Sequence, residues 1–205
     1  QMQVAGSTNI DILGLTADSR LVKTGFLFAA LEGEKTNGRN FIPEALERGA
    51  VAILASSSTN LDRQLGLKKL VTWISCDKPR LAYAEISARF FASQPGTVAA
   101  ITGTNGKSSV AEFVRQLWTL ACLPAASLGT LGLVTPSGRV SSNLTTPDPA
   151  LLHAKLRHLV RNNIDHLALE ASSHGLDQKR LDNLNIETGI FTNLSHDHLD
   201  YHKNM

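Results

Sequence analysis

The sequence predicts an α/β fold of two domains: a small α/β unit over residues 1–94 and a mostly parallel α/β unit over residues 95–205. Short apolar runs of strand length alternate with segments of helical period along the chain. This alternation is typical of parallel sheets, which bind ligands at the carboxyl ends of their strands. Residues 93–96 read Ser-Gln-Pro-Gly and mark the boundary, because Pro and Gly together end a helix and begin an extended segment.

The first unit contains three predicted strands and two predicted helices. The strands are apolar runs at residues 26–31, 50–55 and 70–74. A helix over 43–48 begins with a proline, which suits the first helical position. A second helix over 79–91 has apolar residues at helical spacing and ends shortly before the boundary.

The second unit begins with a strand, a glycine-rich loop and a helix. The strand is the β-branched run at 97–102, and the helix at 108–120 has an apolar period of 3.6 residues. A further helix is predicted over 151–160, with strands over 164–169 and 189–194. The apolar stripe expected on the first helix consists of Val110, Val114, Leu117 and Leu120.

Composition excludes several classes of protein. The chain has 205 residues, of which 42% are hydrophobic and 19% charged, as in ordinary globular domains. A formal net charge of +2 gives no reason to expect a nucleic-acid partner. Every apolar run is far shorter than the roughly 20 residues that span a bilayer, so we expect no membrane partner.

Cysteine usage favours a reducing compartment. Cys76 and Cys122 are far apart and form no C-x-x-C pair, so a disulfide framework and a cysteine zinc site are both unsupported. We therefore expect a cytoplasmic protein. The chain stops directly after a dense polar motif without a helix stop signal, and we expect a fragment of a longer protein.

The glycine-rich loop predicts a nucleotide site. Such a loop turns backbone N–H groups and a helix N-terminus toward phosphate oxygens, with Lys107 placed to reach the β- and γ-phosphates and Ser108 to bind Mg²⁺. The match to the full P-loop pattern is partial, because Ile101 stands where that pattern has glycine. A turn that merely caps a helix does not account for Lys107 beside Gly106. The predicted nucleotide-binding residues are Gly103, Thr104, Asn105, Gly106, Lys107, Ser108 and Ser109.

Carboxylates and imidazoles follow two of the predicted strands. Glu170 ends one strand, where a carboxylate suits a phosphate-bound Mg²⁺. Residues 192–202 follow the next strand and include His196, His198 and His202. A histidine there either binds a second divalent ion or donates to phosphate, and the spacing leaves both open. The segment lacks the thiolates or H-E-x-x-H pattern of zinc sites.

Polar residues near these strands are candidates to bind a substrate. One group lies in a loop before a helix that Asp148 is placed to cap. The other follows Glu170 and offers hydroxyl, amide and guanidinium donors suited to an anionic or sugar-phosphate ligand. Contact with solvent explains each of these polar residues singly but explains their clustering less well. The candidates are Thr145, Thr146, Ser172, Gln178 and Arg180.

Three motifs in this order resemble the Mur ligases. They are residues 103–109 (GTNGKSS), 170–176 (EASSHGL) and 192–202 (TNLSHDHLDYH). Residues 18–20 and 25–30 resemble the UDP-binding domain of that family, so the resemblance covers nearly the whole chain. Among family members, the motifs are most similar to those of the ligase that adds the third residue of the peptidoglycan stem peptide.

The resemblance implies a UDP-binding N-terminal domain followed by a truncated P-loop ATPase domain. It implies an ATP-dependent amide ligase that phosphorylates the free carboxylate of UDP-MurNAc-L-Ala-D-Glu. The amine of a diamino acid, meso-diaminopimelate rather than lysine, then attacks the acyl phosphate. ATP and Mg²⁺ are the implied cofactors, and a monomer is expected. Relatives have a carbamylated lysine and a C-terminal domain beyond the last motif, so we expect this chain to be inactive alone.

The motif match assigns roles to individual residues. Lys107 would bind the transferring phosphate, Ser108 and Glu170 would hold the first Mg²⁺, and His198 would hold the second. Lys107 and His198 are thus the expected catalytic residues. Ser19 would bind the uridine nucleotide end of the substrate. Thr145, Thr146, Ser172, Gln178 and Arg180 would bind its muramoyl-peptide part.

Two alternatives remain open from the sequence. A sibling ligase such as folylpolyglutamate synthetase shares the P-loop and histidine motifs. Residues 200–202 and the 145–147 loop nevertheless favour the ligase that adds the third residue of the stem peptide. A non-catalytic P-loop module would bind nucleotide without recognising a UDP-sugar, and it leaves the N-terminal unit without a role.

Overall fold

The computed structural model describes residues 2–33, 36–58 and 71–204. The chain divides into two units, residues 1–87 and 88–205. Each unit is built on a mostly parallel sheet with helices, which confirms the predicted α/β class.

Five strands form the sheet of the first unit, in the order β1-β5-β4-β3-β2. Strands β2 to β5 run parallel, and β1 pairs antiparallel with β5. The strands are β1 (Met2–Ala5), β2 (Gly14–Thr16), β3 (Phe26–Ala29), β4 (Ala52–Ser56) and β5 (Thr72–Cys76). The helices are α1 (Ile42–Glu47) and α2 (Pro79–Phe91), with short 3-10 helices at Ser19–Leu21 and Gly38–Phe41.

The apolar runs of the first unit form its core, as predicted. Phe28 and Ile53, on neighbouring strands, are buried against Ile42 and Ala45 of α1. Pro43 occupies the first turn of α1, where its missing N–H costs no hydrogen bond. The predicted strand at 70–74 corresponds to β5, and its first residue, Leu70, lies outside the described residues.

Six strands form the sheet of the second unit, in the order β11-β6-β10-β7-β8-β9. The first four are parallel, and β8 and β9 complete an antiparallel edge. The strands are β6 (Thr97–Thr102), β7 (Ala125–Gly129), β8 (Gly132–Thr135), β9 (Gly138–Val140), β10 (His166–Glu170) and β11 (Thr188–Phe191). The helices are α3 (Lys107–Leu120), α4 (Pro149–Arg161), α5 (Ser173–Asp177) and α6 (Leu199–His202).

Strand β10 is buried on both faces, so successive side chains belong to different cores. Leu167 and Leu169 pack with Leu152 and Leu156 of α4. Ala168, between them, packs with the α3 side of the sheet. A strand covered on both sides reads as a continuous apolar run, which is why this strand could be predicted from the sequence.

The predicted stripe on α3 is partly wrong. Val110 and Val114 do pack on the core, but Leu117 is 65% exposed and Leu120 is 81% exposed. Trp118 completes the buried face instead. At about 100° per residue, Trp118 lies closer than Leu117 to the centre of a face that also contains Ala111.

Strand boundaries differ from the prediction at two places that matter for the site. β10 begins at His166 rather than at 164, because Ile164 is held in the turn after α4 by a bond to Leu159. β11 ends at Phe191 rather than at 194, and residues 192–195 turn toward the glycine-rich loop. No helix within the described part of the chain is both long and apolar enough to cross a membrane.

Candidate nucleotide and cation site

The register of the second sheet brings three loops to one edge. Ile101 in β6 lies opposite Glu170 in β10, and Thr102 lies opposite Phe191 in β11. The loops that follow these strands border a cleft of about 640 Å³. The cleft is therefore at the carboxyl ends of parallel strands, where such sheets bind their ligands. Its walls include Gly103, Thr104, Asn105, Gly106, Lys107, Ser108, Thr130, Thr145, Glu170, Ser172, Asp197 and His198.

The glycine-rich loop leads directly into the N-terminus of α3. Gly106 has φ +85°, a left-handed conformation that glycine adopts without strain, and Lys107 begins the helix. The N-cap position is Gly106, and no side-chain cap is found there in the described part of the chain. The first-turn N–H groups are consequently available to an anion, and the helix dipole favours negative charge at the same point.

Residues 192–195 hold the loop in place through several hydrogen bonds. The N–H of Thr104 donates to the carbonyl of Asn193 at 2.9 Å, and Thr192 Oγ1 donates to the carbonyl of Asn105 at 2.7 Å. The N–H of Asn105 donates to Asn193 Oδ1 at 3.0 Å. These bonds explain why β11 ends early: the Thr192 N–H still donates to the carbonyl of Thr102 in β6, but the residues after it pair with the loop.

Lys107 reaches back across the loop it follows. Its Nζ donates to the carbonyls of Gly103 at 2.6 Å and Thr104 at 2.9 Å. The ammonium group is therefore held against the loop backbone, and Lys107 lines the cleft. Ser109, the last predicted residue of the motif, is exposed on the first turn of α3 and is not part of the cleft wall.

Glu170 is a carboxylate with only 2% of its surface exposed. It accepts hydrogen bonds from Ser108 Oγ (3.0 Å to Oε2), from the N–H of Thr130 (2.9 Å to Oε1) and from Thr130 Oγ1 (3.2 Å to Oε2). Burial of a charged group is costly unless such donors compensate it. A carboxylate kept at this cost at the edge of a cleft is well placed to bind a cation.

Ser108 and Glu170 fit the requirements of Mg²⁺. This ion prefers oxygen ligands, keeps several waters and takes one or two groups from the protein besides phosphate oxygens. Ser108 Oγ and Glu170 Oε2, 3.0 Å apart, are such a pair. Within the described ranges, no three His, Cys, Asp or Glu side chains cluster into a metal-binding set.

The histidine-rich segment is anchored on α5 by aromatic contacts. His198 has φ +51° and precedes α6, with its ring 4.7 Å from that of His174 in an edge-to-face arrangement. His174 also packs on Tyr201 at 4.1 Å, and Tyr201 Oη donates to Asp177 Oδ2 at 2.6 Å. These contacts place His198 on the cleft wall.

The predicted substrate-binding residues occupy two different positions. Thr145 and Ser172 line the cleft. Thr146 is only 1% exposed, and its hydroxyl donates to the carbonyl of Glu170 at 2.8 Å and accepts from the N–H of Ser172 at 3.0 Å. Arg180 donates to the carbonyl of Thr146 at 2.6 Å. Thr146 and Arg180 thus support the residues that face the cleft.

Three other predicted residues are placed as follows. Gln178 accepts from Arg180 at 2.7 Å and donates to Tyr201 Oη at 3.3 Å. Asp148 caps α4, as predicted, by accepting from the N–H of Ala150 at 3.1 Å. Ser19 belongs to the first unit, where it is buried.

Ser19 Oγ donates to Glu44 Oε2 at 2.7 Å. This bond and the neighbouring Arg48 lower the pKa of Glu44, the bond from Ser19 having the larger effect. The Ser19 hydroxyl is consequently fixed at the start of the 3-10 helix that follows β2.

Thr130 makes two of the hydrogen bonds to Glu170 and is not among the site residues predicted from the sequence. A local signal was present, because Gly129 and Gly132 bracket a two-residue turn between β7 and β8. The turn could have been predicted from Gly-Thr-Leu-Gly. Its contact with Glu170 could not, since that depends on β7 lying beside β10 in the sheet.

Comparison with known proteins gives the family. A model described as "Mur ligase family, catalytic domain" matches residues 11–91, and one described as "Mur ligase middle domain" matches residues 101–205. Two curated relatives bear the name UDP-N-acetylmuramoyl-L-alanyl-D-glutamate–2,6-diaminopimelate ligase. The protein from Bradyrhizobium diazoefficiens is 49% identical over 193 residues, which are 94% of this chain and 38% of the relative. The protein from Chelativorans sp. is 49% identical over 199 residues, which are 97% of this chain and 40% of the relative.

Solved structures agree with this result. A ligase of the same name superposes with a TM-score of 0.72 at 31% identity, covering 92% of this chain and 37% of that one. A MurF ligase from Thermotoga maritima, solved with ADP, shares the fold at 21% identity and a TM-score of 0.56. The chain spans about two fifths of the curated relatives it matches. From residue 11 onward, the motifs at the cleft and the match to the family models lead to the same conclusion: this chain belongs to the Mur ligase family.

Proposed function

We propose that this chain is the N-terminal and central part of a ligase that joins meso-diaminopimelate to UDP-MurNAc-L-Ala-D-Glu at the expense of ATP. The names of relatives that are 49% identical support this substrate assignment. The observation that carries it in the structure is the pairing of Ser108 with buried Glu170 directly below a glycine-rich loop. That arrangement suits a Mg²⁺ ion bound to nucleotide phosphates.

The reaction proposed for the whole enzyme has two chemical steps. The γ-phosphoryl group of ATP passes to a carboxylate oxygen of D-Glu, which gives an acyl phosphate and ADP. The amine of the diamino acid then attacks the acyl carbon, the C–O bond to phosphate breaks, and an amide and inorganic phosphate are left after loss of a proton from nitrogen. Phosphoryl transfer of this kind depends mainly on positioning and on charge stabilisation.

The residues of the cleft suit that chemistry. When nucleotide binds, Lys107 Nζ gives up its hydrogen bonds to two loop carbonyls and donates to phosphate oxygens instead. Its positive charge then offsets the negative charge of the transferring phosphoryl group. Ser108 and Glu170 hold the first Mg²⁺, and His198 holds the second. Bound Mg²⁺ neutralises charge that develops on the phosphates. The N–H groups at the start of α3 bind the phosphates that stay with the nucleotide.

The remaining polar residues of the cleft bind the muramoyl-peptide substrate in this proposal, either directly or by supporting the residues that contact it. Thr145 and Ser172 contact the muramoyl peptide from the cleft wall. Thr146, Gln178 and Arg180 belong to the same binding region and keep its loops in place through their hydrogen bonds.

We assign the UDP-binding domain to residues 1–94 and the ATP-binding domain to residues 95–205. Ser19, whose hydroxyl is fixed by Glu44, contacts the uridine nucleotide. Free Cys76 and Cys122 fit a reducing cytoplasm, and we expect the chain to be monomeric. The chain alone binds ligands without turnover, because relatives extend well beyond it.

Calorimetric titration of the chain with UDP-MurNAc-L-Ala-D-Glu and, separately, with Mg·ATP tests this proposal. We expect saturable binding of both, and weaker UDP-ligand binding by the Arg180→Ala variant. The matched control is Arg161→Ala, an exposed arginine at the end of α4. Binding of ATP without any UDP-ligand binding would favour a folate-type ligase or a non-catalytic module, and it would contradict the proposal.

A further inference from the structure

One hydroxyl group connects the proposed cation site to the proposed substrate site. Thr130 Oγ1 lies 3.2 Å from Glu170 Oε2 and 3.0 Å from Thr145 Oγ1. Thr130, Thr145 and Glu170 all border the cleft, and Glu170 is the most buried of the three, with 2% of its surface exposed. The three side chains thus form a continuous hydrogen-bonded row from the buried carboxylate to the cleft wall.

The position of Thr130 is set by its backbone. It lies in the two-residue turn between β7 and β8, where Gly129 pairs with Gly132. Its N–H donates to Glu170 Oε1 at 2.9 Å. A Cβ atom on Gly129 would lie 2.0 Å from the same oxygen, which shows how closely the turn approaches the carboxylate. The Thr130 side chain is therefore held at the carboxylate by a two-residue turn whose backbone is bonded to that carboxylate.

The direction of each hydrogen bond in the row follows from the chemistry of the groups. A carboxylate only accepts, and a hydroxyl has one proton to donate. Thr130 therefore gives its proton to Glu170 and accepts from Thr145. Thr145 in turn uses its only proton on Thr130, so toward a ligand in the cleft its hydroxyl can only accept.

We propose that Thr130 is a positioning residue that fixes Thr145 as a hydrogen-bond acceptor for an N–H or O–H group of the muramoyl-peptide substrate. This inference rests on the proposed function and deepens it by naming the polarity of the substrate contact. Thr130 acts through Thr145 and not by touching that group itself.

A double-mutant cycle tests the inference by calorimetry with UDP-MurNAc-L-Ala-D-Glu. Thr130→Val keeps the side-chain shape and the N–H but removes the hydroxyl. We expect about tenfold weaker binding, the loss associated with one hydrogen bond. Thr145→Val should weaken binding by a similar factor. The double variant should be no weaker than Thr145→Val alone, because the two residues act as one unit.

Two controls separate positioning from general damage. Thr130→Ser keeps the hydroxyl and should bind the UDP-ligand within about twofold of the unaltered chain, since the row is retained. The thermal unfolding midpoint of each variant reports whether the fold is intact. If Thr130 only stabilised the fold, Thr130→Val would lower that midpoint, and its effect on binding would add to the effect of Thr145→Val.

Three results would overturn the inference. Normal binding by Thr130→Val would show that the ligand does not use the row, while the proposed function would stand. Additive losses in the double variant would show that Thr130 contacts the ligand directly. Absence of UDP-ligand binding by the unaltered chain would reject both the inference and the proposed function.

Discussion

Ser108 Oγ donates a hydrogen bond to Glu170 Oε2 at 3.0 Å, although the two residues are 62 positions apart in the sequence. Ser108 is in the first turn of α3, and Glu170 is the last residue of β10. Because β6 and β10 are parallel neighbours, the loop after one strand meets the end of the other. Sheet topology is thus what assembles a phosphate loop and a carboxylate into one site.

The Glu170→Gln variant should lose Mg²⁺-dependent nucleotide binding. The amide has only one acceptor oxygen, and its NH₂ group would face Ser108 or Thr130, which both donate to the native carboxylate. We expect at least about tenfold weaker binding of Mg·ATP by calorimetry, from the loss of charge-assisted contacts.

Glu187→Gln is the matched control for that variant. Glu187 is exposed and precedes β11, at the amino ends of the strands and away from the cleft. Its Mg·ATP affinity should equal that of the unaltered chain. Equal losses in both variants would mean that Glu170 has no special part in nucleotide binding.

The Gly129→Ala variant should displace Glu170. The added Cβ atom would lie 2.0 Å from Oε1, so the carboxylate has to move or β7 has to shift. We expect a loss of about 1–3 kcal/mol in the free energy of unfolding, as for other overpacked sites, together with weaker Mg·ATP binding. Urea unfolding and calorimetry measure the two effects.

Gly189→Ala provides the comparison for this strand glycine. A Cβ atom on Gly189, in β11, meets no atom within 4 Å. This variant should unfold at the same urea concentration as the unaltered chain and bind Mg·ATP equally well. An unchanged Gly129→Ala protein would refute the close approach of Gly129 to Glu170.

His153 should make the protein less stable in acid. It is 2% exposed in α4, its Nε2 has no hydrogen-bond partner among the residues that the structure describes, and burial lowers its pKa to about 4. The unfolded chain, with a pKa near 6.5, takes up the proton first, so the stabilisation is present above about pH 6.5 and is lost as the pH falls toward 4. The loss should reach about 3 kcal/mol.

Urea unfolding between pH 7 and pH 4 measures this effect. In a His153→Leu variant, the leucine side chain fills a similar volume and does not titrate. Between pH 7 and pH 4, the free energy of unfolding of this variant should therefore fall by about 3 kcal/mol less than that of the unaltered chain. His158→Leu, an exposed histidine on the same helix, should keep the full dependence of the unaltered chain. Parallel pH curves for all three proteins would argue against an uncharged buried His153.

The Tyr201→Phe variant should loosen the segment that includes His198. It removes the bond from Tyr201 Oη to Asp177 Oδ2 and the acceptor of the bond from Gln178, but keeps the ring that packs on His174. Hydrogen exchange of residues 199–204 should become faster by at least about a factor of ten, which is the effect of losing one hydrogen bond. Residues 107–120 of α3 serve as the internal reference and should exchange at their original rate.

Much of the site could be predicted because its parts are local. Residues 103–109 are contiguous, and Glu170 directly follows an apolar strand, so strand ends alone indicate where both lie. Thr146 shows the limit of this approach. Its position in a polar loop suggested a ligand contact, but whether its hydroxyl faces the cleft or the strand end depends on where this loop meets the end of β10 and Ser172.

Helix α3 shows a second limit. Leu117 and Trp118 are adjacent and both apolar. Which of them is buried depends on how the helix is rotated about its own axis when it packs on the sheet. The order of strands in a sheet is likewise not determined by local sequence. The antiparallel pairing of β1 with β5 joins residues about 70 positions apart, such as Val4 and Ile74, and no local pattern in residues 2–5 indicates it.

The dependence of ATP affinity on Mg²⁺ tests the central claim most directly. Calorimetry of the unaltered chain and of Ser108→Ala, each with excess Mg²⁺ and with EDTA, gives four dissociation constants. We predict that Mg²⁺ tightens ATP binding at least about tenfold in the unaltered chain and far less in Ser108→Ala, because the variant lacks one oxygen ligand. The same affinity with and without Mg²⁺ in the unaltered chain would contradict a cation site at Ser108 and Glu170.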